Sequence, residues 1–266
     1  MDVRFKAGSA PLLISMPHVG TDIPDDIAAT MAPCALKRAD TDWHLEQLYA
    51  FAAELGASTL AARWSRYVID VNRPPENTSL YPGLDTTGLC PVDTFARERL
   101  YQPGRVPSAL EVKRRLQRYW QPYHWQLRAE LDRLLALHGG VLLWDAHSIA
   151  SRVPRFFDGQ LPDLNLGTAN GASCAPALER AIVATARSQR HFTVAVNGRF
   201  KGGYITRHYG QPQAGVHAIQ LEMCQYLYMD ESAPFGYRPD NAARVLPVLR
   251  ACVGTALDSV LAGERP

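Results

Sequence analysis

Short apolar runs alternate along the chain with segments in which apolar residues recur every three or four positions. The runs predict buried strands at residues 11–17 (PLLISMP), 58–63, 66–72, 141–145 (VLLWD), 192–197 and 216–223. The periodic segments predict helices over 43–55, from 108 to about 138, over 175–189, and from 241 to the end of the chain. Strands separated by helices are typical of an α/β protein with a mixed, mostly parallel sheet and helices on both faces.

Local signals define the ends of the longest predicted helix. Ser108 and Glu111 have the spacing of a capping box, which predicts a helix start at this point. Pro122 predicts a kink within the helix, and Gly139 predicts its end.

Residues 73–105 differ from the rest of the chain because they are rich in proline, glycine, threonine and asparagine, which favour turns. A loop of this length in a compact domain is usually functional or disordered, and its leucine, tyrosine and cysteine residues favour a packed, functional loop. Internal repeats and linkers are absent from the sequence, so residues 1–266 are interpreted as a single domain.

Composition excludes several classes of protein. The net charge is +2 and no basic block is longer than KRR at 113–115, so a nucleic-acid-binding surface is not expected. The five cysteines include no Cys-x-x-Cys pair, which argues against a disulfide framework and against a thiolate zinc site. A signal peptide and an apolar run of about 20 residues are also absent, so we expect a cytoplasmic protein without membrane contact. Nothing in the sequence indicates an oligomeric state.

Polar residues stand where three of the predicted elements begin or end. His18 follows the first strand, Asp40 and Asp42 precede a helix, and Asp145 and His147 follow the run VLL-Trp. Ligands of open α/β sheets bind beyond the carboxyl ends of the strands, so these residues are candidates for a site. The alternatives are a packed histidine, helix N-capping by the aspartates, and a buried Asp–His hydrogen bond.

Glu222 is a carboxylate inside an otherwise apolar strand, where an unpaired charge is costly. Two imidazoles and a carboxylate are sufficient to bind zinc and leave a position for water. Glu222 is then the natural group to move the proton of that water, and Asp145 is placed to orient His147.

Cationic residues form the second group of candidates. Asn72 and Arg73 end a predicted strand, and Arg207 and His208 follow the Gly-rich segment 198–203, which also contains Lys201. Arginine can bind a carboxylate through two hydrogen bonds, so these residues favour a small acidic substrate, although a surface ion pair is the alternative for each. Phosphate-loop motifs are absent.

The motifs SMPHVGTDIP, DTDWHLEQLY, VIDVNRPP, LYPG, WDAHS and QLEMCQYLYM occur in this order between residues 11 and 229. Together they resemble the N-formylglutamate amidohydrolases, also called N-formylglutamate deformylases. The resemblance implies an α/β fold of the zinc-carboxypeptidase type and hydrolysis of N-formyl-L-glutamate to formate and L-glutamate, the last step of one route of histidine degradation.

The resemblance also implies the roles of particular residues. His18, Asp42 and His147 are the expected ligands of one zinc ion, or of another divalent metal, with Asp40 the less favoured carboxylate. Asp40 and Asp145 are then supporting residues, and Glu222 is the catalytic carboxylate. Arg73 and Arg207, with Asn72 and His208 beside them, are expected to bind the substrate carboxylates or the developing oxyanion.

Three other functions remain open at this stage. The first is hydrolysis of another N-acyl amino acid or of a small peptide by the same site. The second is binding of an acidic ligand without catalysis. The third is a serine hydrolase that uses Ser148, which the absence of a Gly-x-Ser-x-Gly motif disfavours.

Overall fold

A computed structural model describes residues 2–263 and contains one seven-stranded sheet. The strands are β1 (Val3–Lys6), β2 (Leu12–Met16), β3 (Ser58–Ala62), β4 (Val141–Ile149), β5 (Leu164–Gly167), β6 (Val194–Val196) and β7 (Val216–Cys224). Their order across the sheet is β1-β3-β2-β4-β7-β5-β6. The four central strands β3, β2, β4 and β7 are parallel, whereas β1, β5 and β6 run the other way at the two edges. The predicted α/β class with a mixed, mostly parallel sheet is confirmed.

Helices cover both faces of this sheet. They are α1 (Asp25–Ala28), α2 (Leu45–Leu48), α3 (Ala109–Arg115), α4 (Gln121–His138), α5 (Pro176–Ser188), α6 (Tyr204–Tyr209) and α7 (Pro239–Leu261). Along β4, Leu142 and Trp144 pack with α2, α5 and α7 on one face, and Val141 and Leu143 pack with α4 and α6 on the other. The strand is apolar at every position up to Trp144 because both of its faces are covered.

His147 lies within β4, and not after the strand ends as the sequence predicted, whereas Glu222 lies within β7 as predicted. β2 stops at Met16, whereas the β4–β7 ladder continues to Ile149 and Cys224. His147 is the register partner of Glu222, so the two side chains are on the same face of the sheet. The extension of this ladder beyond β2 carries both side chains to the carboxyl edge of the sheet.

Several sequence predictions require correction. Residues 66–72 form turns and no strand, although Tyr67, Val68 and Ile69 are as buried as a strand would be. An apolar run indicates burial, and here the buried segment packs against the sheet without joining it. The helix predicted over 43–55 is divided into α2 and a 3-10 turn at Ala50–Ala53. Strands β1 and β5 and helix α6 were not predicted.

The ends of the long helix agree with the prediction. The Ser108 side chain accepts a hydrogen bond from the Glu111 N–H, and Gly139 ends α4 with a φ of 76°. A π-helical turn, Leu116–Trp120, separates α3 from α4 directly before Pro122, where the kink was predicted.

Residues 73–105 contain isolated bridges and no regular helix or strand. Leu89, Leu100 and Tyr101 are buried, so this segment packs on the molecule as predicted. Within residues 2–263, every helix is too short or too polar to cross a bilayer.

Candidate metal and substrate site

Three predicted metal ligands meet at the carboxyl edge of the sheet. The Nδ1 atoms of His18 and His147 are 3.1 Å apart, and Asp42 Oδ2 lies 3.8 Å from the first and 3.4 Å from the second. All three residues are at most 4% exposed. Two imidazole nitrogens and one carboxylate oxygen that face one point form a donor set suited to zinc or a similar divalent ion.

Each imidazole is oriented by a carboxylate on its other nitrogen. His18 Nε2 lies 2.7 Å from Asp70 Oδ1, and His147 Nε2 lies 3.2 Å from Asp145 Oδ2. A neutral ring that donates its Nε2 proton to a carboxylate presents the lone pair of Nδ1 to the opposite side. Both rings therefore present Nδ1 to the point they share with Asp42.

Asp70 is fully buried, and both of its carboxylate oxygens have hydrogen-bond partners. Its Oδ1 accepts the N–H of Asn72 at 2.9 Å, and its Oδ2 accepts Arg66 Nη2 at 2.8 Å. Burial alone would raise the pKa of Asp70. The charges of His18 and Arg66 lower this pKa by more than burial raises it, so the net pKa lies well below the usual range. Asp70 is therefore a permanent anion beside His18.

Asp145 is supported from two other elements. Its two oxygens accept hydrogen bonds from Ser15 on β2 and Thr206 on α6, each at 3.2 Å. Tyr123 Oη is 2.9 Å from the Ser15 hydroxyl, which extends this network to α4. Asp145 therefore connects His147 to β2 and α6, and its supporting role stays a prediction.

Asp42 and Asp40 do not cap a helix. The residue before α2 is His44, and Asp42 Oδ2 instead accepts the N–H of Ser148 at 3.2 Å. Asp40 accepts the N–H of Phe95 at 2.9 Å and so fixes one wall of the neighbouring cleft. Burial raises the pKa of Asp40.

The two histidines are in different electrostatic surroundings. Burial and the charge of Arg66 lower the pKa of His18, which favours the neutral ring that a metal ligand must be. Burial also lowers the pKa of His147, but the carboxylates of Asp145 and Asp42 outweigh this effect and raise it well above its usual value. Negative charge around His147 therefore favours a cation at this position.

Glu222 lines the same cleft as His18 and His147, and it is the register partner of His147. It is 8% exposed, and its Oε2 accepts a hydrogen bond of 3.4 Å from Gln220 Nε2. Burial raises its pKa to about 8, opposed by the charge of His147 and reinforced by that of Asp42. A carboxyl group whose pKa lies close to neutral pH is suited to exchange protons with a substrate.

The cleft beside these residues is lined by several positively charged side chains. Three arginines line it: Arg66, Arg73 and Arg199. Arg73, predicted from the sequence, donates hydrogen bonds to the carbonyls of Thr87 and Asn72 at 2.9 and 3.3 Å. An anionic small molecule fits these surroundings.

Asn72 joins His147 to α6. Its Nδ2 lies 3.0 Å from His147 Nε2, and its Oδ1 accepts the Ile205 N–H at 2.8 Å. A Cβ at Gly203 would lie only 2.4 Å from Asn72 Nδ2, so this close approach requires glycine.

Two other predicted substrate residues do not form part of the cleft wall. Arg207 Nε donates to the Gly202 carbonyl at 2.8 Å, and its guanidinium lies 5.2 Å from the centre of the Tyr81 ring. His208 stacks on Tyr204 with 4.8 Å between ring centres. Neither Arg207 nor His208 is among the described residues that line the cleft.

Comparison with known proteins agrees with this arrangement. A sequence model of the N-formylglutamate amidohydrolases matches residues 10–229. The chain belongs to this family. It is 52% identical over 263 residues to the N-formylglutamate deformylase of Pseudomonas aeruginosa, with 99% of this chain and 97% of that protein covered. The corresponding deformylase of Pseudomonas putida is 51% identical over 93% of this chain and 92% of its own length.

A solved amidohydrolase has the same fold. The crystal structure of the N-formylglutamate amidohydrolase from Ralstonia eutropha JMP134 superposes with a TM-score of 0.84 at 25% identity, covering 99% of both chains. A protein from Agrobacterium tumefaciens superposes with a TM-score of 0.75 at 20% identity, covering 97% of this chain and 96% of its own, which shows the fold alone.

Sequence reasoning missed Asp70, Arg66 and Arg199. Asp70 carried a usable signal, because it is a charged residue within the apolar run YVIDV. Arg66 begins the segment 66–72 that was predicted as a strand, and Arg199 lies in the Gly-rich segment 198–203, but neither pattern indicates a cleft residue. Only the folded chain brings these two arginines to the cleft.

Proposed function

We propose that this chain hydrolyses N-formyl-L-glutamate to formate and L-glutamate with the help of one divalent metal ion, most simply zinc. The observation that carries the proposal is the convergence of His18 Nδ1, His147 Nδ1 and Asp42 Oδ2 beside Glu222 in a cationic cleft. The two Pseudomonas relatives named N-formylglutamate deformylase support the choice of substrate.

His18, Asp42 and His147 would hold the metal ion. A zinc ion bound by three protein ligands lowers the pKa of a water molecule to about 7 and polarises a carbonyl group. The chain contributes the geometry, because Asp70 and Asp145 keep both imidazoles turned towards the same point.

Glu222 moves the proton in this proposal. It accepts a proton from the attacking water while the new C–O bond forms at the formyl carbon. It then donates that proton to the glutamate nitrogen as the C–N bond breaks, so formate and the amine leave. Its position beside His147 in the same cleft supports this role.

Arg73 provides positive charge near the reacting end of the substrate. It is adjacent in the chain to Asn72, whose side chain contacts His147, and unlike Arg66 it has no carboxylate partner among residues 2–263. Arg207 and His208 are left out of the proposal because they do not line the cleft. The histidine degradation route and the cytoplasmic location remain predictions.

Formate release from N-formyl-L-glutamate tests the proposal. Removal of metal with a chelator is expected to abolish release, and added Zn²⁺ is expected to restore it. Glu222→Gln is expected to lower kcat by about 10²- to 10⁴-fold and to retain its metal, because the substitution removes the proton acceptor and no ligand. Glu54→Gln, at an exposed ion pair with Arg250, is the control. Full activity without metal, or wild-type turnover by Glu222→Gln, would overturn the proposal.

The same assay separates the other candidate functions. Comparison with N-acetyl-L-glutamate, N-formyl-L-aspartate and N-formyl-L-methionine shows which acyl group and which amino acid the cleft accepts. Tight binding of L-glutamate without formate release from any of them would indicate an acidic-ligand-binding protein.

A further inference from the structure

Two arginines of the cleft have no carboxylate partner. Arg66 is paired with Asp70, whereas Arg73 and Arg199 form no ion pair with any carboxylate of residues 2–263. Burial lowers the pKa of both, and repulsion from a neighbouring arginine lowers each further. Cations that are partly removed from water and close to one another are costly unless negative charges bind beside them.

Arg199 is held in a fixed orientation but keeps donors available. Its Nε donates to the Phe156 carbonyl at 2.7 Å and its Nη2 to the Asp85 carbonyl at 3.4 Å. Its guanidinium lies 5.3 to 5.7 Å from the ring centres of Tyr81, Phe156 and Phe200. Within residues 2–263, Nη1 makes no hydrogen bond to the protein.

Arg73 is bound more completely. All three of its nitrogens donate to the protein, two to Thr87 and one to the Asn72 carbonyl. Its neighbour Asn72 contacts His147, so Arg73 belongs to the reacting end of the cleft. Arg199 instead contacts the aromatic rings of Tyr81, Phe156 and Phe200. None of these three rings contacts His18, Asp42 or His147. The two cations therefore suit two separate negative charges.

We propose that Arg199 binds the side-chain carboxylate of the substrate and thereby selects acidic over neutral N-formyl amino acids. The inference rests on the proposed function and assigns a specificity residue to the same cleft. A guanidinium oriented by two carbonyls and aromatic rings loses little entropy when it binds a carboxylate, and the free Nη1 supplies charge-assisted hydrogen bonds. Tyr81 supports this residue, because its hydroxyl donates to the Gly202 carbonyl and accepts the Lys201 N–H.

A pair of substrates of equal shape tests the assignment. N-formyl-L-glutamate and N-formyl-L-glutamine differ in the charge of the side-chain end. Arg199→Met is expected to lower kcat/KM for N-formyl-L-glutamate by about 10- to 100-fold, mainly through KM, because hydrogen bonds to charged groups contribute this much. For N-formyl-L-glutamine, kcat/KM is expected to change by less than about 3-fold, since the lost bonds involve no charge on this substrate. Arg199→Lys, which keeps the charge without the planar donor pair, is expected to lie between wild type and Arg199→Met.

Arg128→Met is the matched control. Arg128 is also a partly buried arginine packed on an aromatic ring, 4.6 Å from the centre of Tyr209, but it does not line the cleft. This variant is expected to leave both substrates unaffected. Equal losses on both substrates in Arg199→Met, accompanied by a lower Tm, would show a structural role and overturn the assignment. An unchanged preference for N-formyl-L-glutamate would also overturn it.

A binding measurement separates this inference from the proposed function. Calorimetric titration with L-glutamate and L-glutamine requires no catalysis. Wild type is expected to prefer L-glutamate, and Arg199→Met is expected to lose that preference. If no formate is released by wild type but this result is obtained, the hydrolysis proposal fails and the role of Arg199 stands. If wild type releases formate but Arg199→Met keeps the preference for L-glutamate, the hydrolysis proposal stands and the role of Arg199 fails.

Discussion

Replacement of Asp70 by asparagine tests how the metal donors are oriented. Asp70 Oδ1 contacts His18 Nε2 at 2.7 Å, and its Oδ2 pairs with Arg66 at 2.8 Å, in a fully buried position. Asparagine keeps the shape but removes the charge. Two effects are expected: a less firmly oriented His18, and a buried Arg66 without its counter-ion.

The two effects have different magnitudes. Loss of a carboxylate behind a ligating histidine typically lowers metal affinity by about 10- to 100-fold, which corresponds to about 1.4 to 2.7 kcal/mol. Removal of one partner from a buried ion pair costs about 3 to 5 kcal/mol of unfolding free energy. For a chain of this size, that loss lowers Tm by roughly 6 to 20 °C.

Zinc affinity is measured by competition with a chromogenic chelator, and Tm by thermal melting of the metal-free protein. Asp26→Asn, at an exposed pair with Arg114, is the control and is expected to leave both values unchanged. In Arg66→Met/Asp70→Asn, the Tm is expected to recover in part because both partners of the buried ion pair are removed together. The zinc affinity is expected to stay below wild type because an amide oxygen is a weaker acceptor than a carboxylate. A wild-type zinc affinity in Asp70→Asn would refute the orienting role of this residue.

Three further outcomes follow from the contacts described above. Thr206→Val removes one donor to Asp145, so we expect a loss of about 1 kcal/mol in unfolding free energy and weaker zinc binding, measured by melting and by chelator competition. Arg155→Met releases Asp85, which it binds at 3.1 Å, so limited proteolysis is expected to cleave faster near this residue; an unchanged cleavage rate would contradict this. Hydrogen bonds from neighbouring arginines lower the pKa of Glu111 from 4.5 to about 2. Its stabilising contribution is therefore present above about pH 4.5 and is lost as the pH falls towards 2, and in Glu111→Gln the decline of Tm over this interval should be shallower.

The central strands and the metal donors were accessible to sequence reasoning. The apolar runs of β2, β4 and β7 are buried on both faces, so composition alone marks them. Asp145 and His147 are two residues apart in an extended strand, which predicts the shared face on which they are found. A single polar residue in an apolar strand is informative because its burial must be compensated, as at Glu222.

Other features depend on contacts between distant parts of the chain. Residues 66–72 have the composition of a strand, but β2 and β4 already pair with each other and β3 occupies the other side of β2. The segment therefore packs as turns against the sheet, and in this position Asp70 reaches His18. The choice of arginine was also beyond the sequence, since Arg207 turns to Gly202 whereas Arg199 lines the cleft.

The sequence by itself determined the α/β class, the central buried strands and the candidacy of His18 and His147, because each leaves a local signal in polarity or spacing. The choice of Asp42 over Asp40 came from the resemblance to the family. Only the tertiary structure decided which charged groups surround these residues. Asp70, Arg66 and Arg199 derive their surroundings from residues far away in the chain, and the local sequence does not record the partners of a side chain. The residues that surround these three side chains are brought together by the packing of the whole sheet and of the segment 73–105.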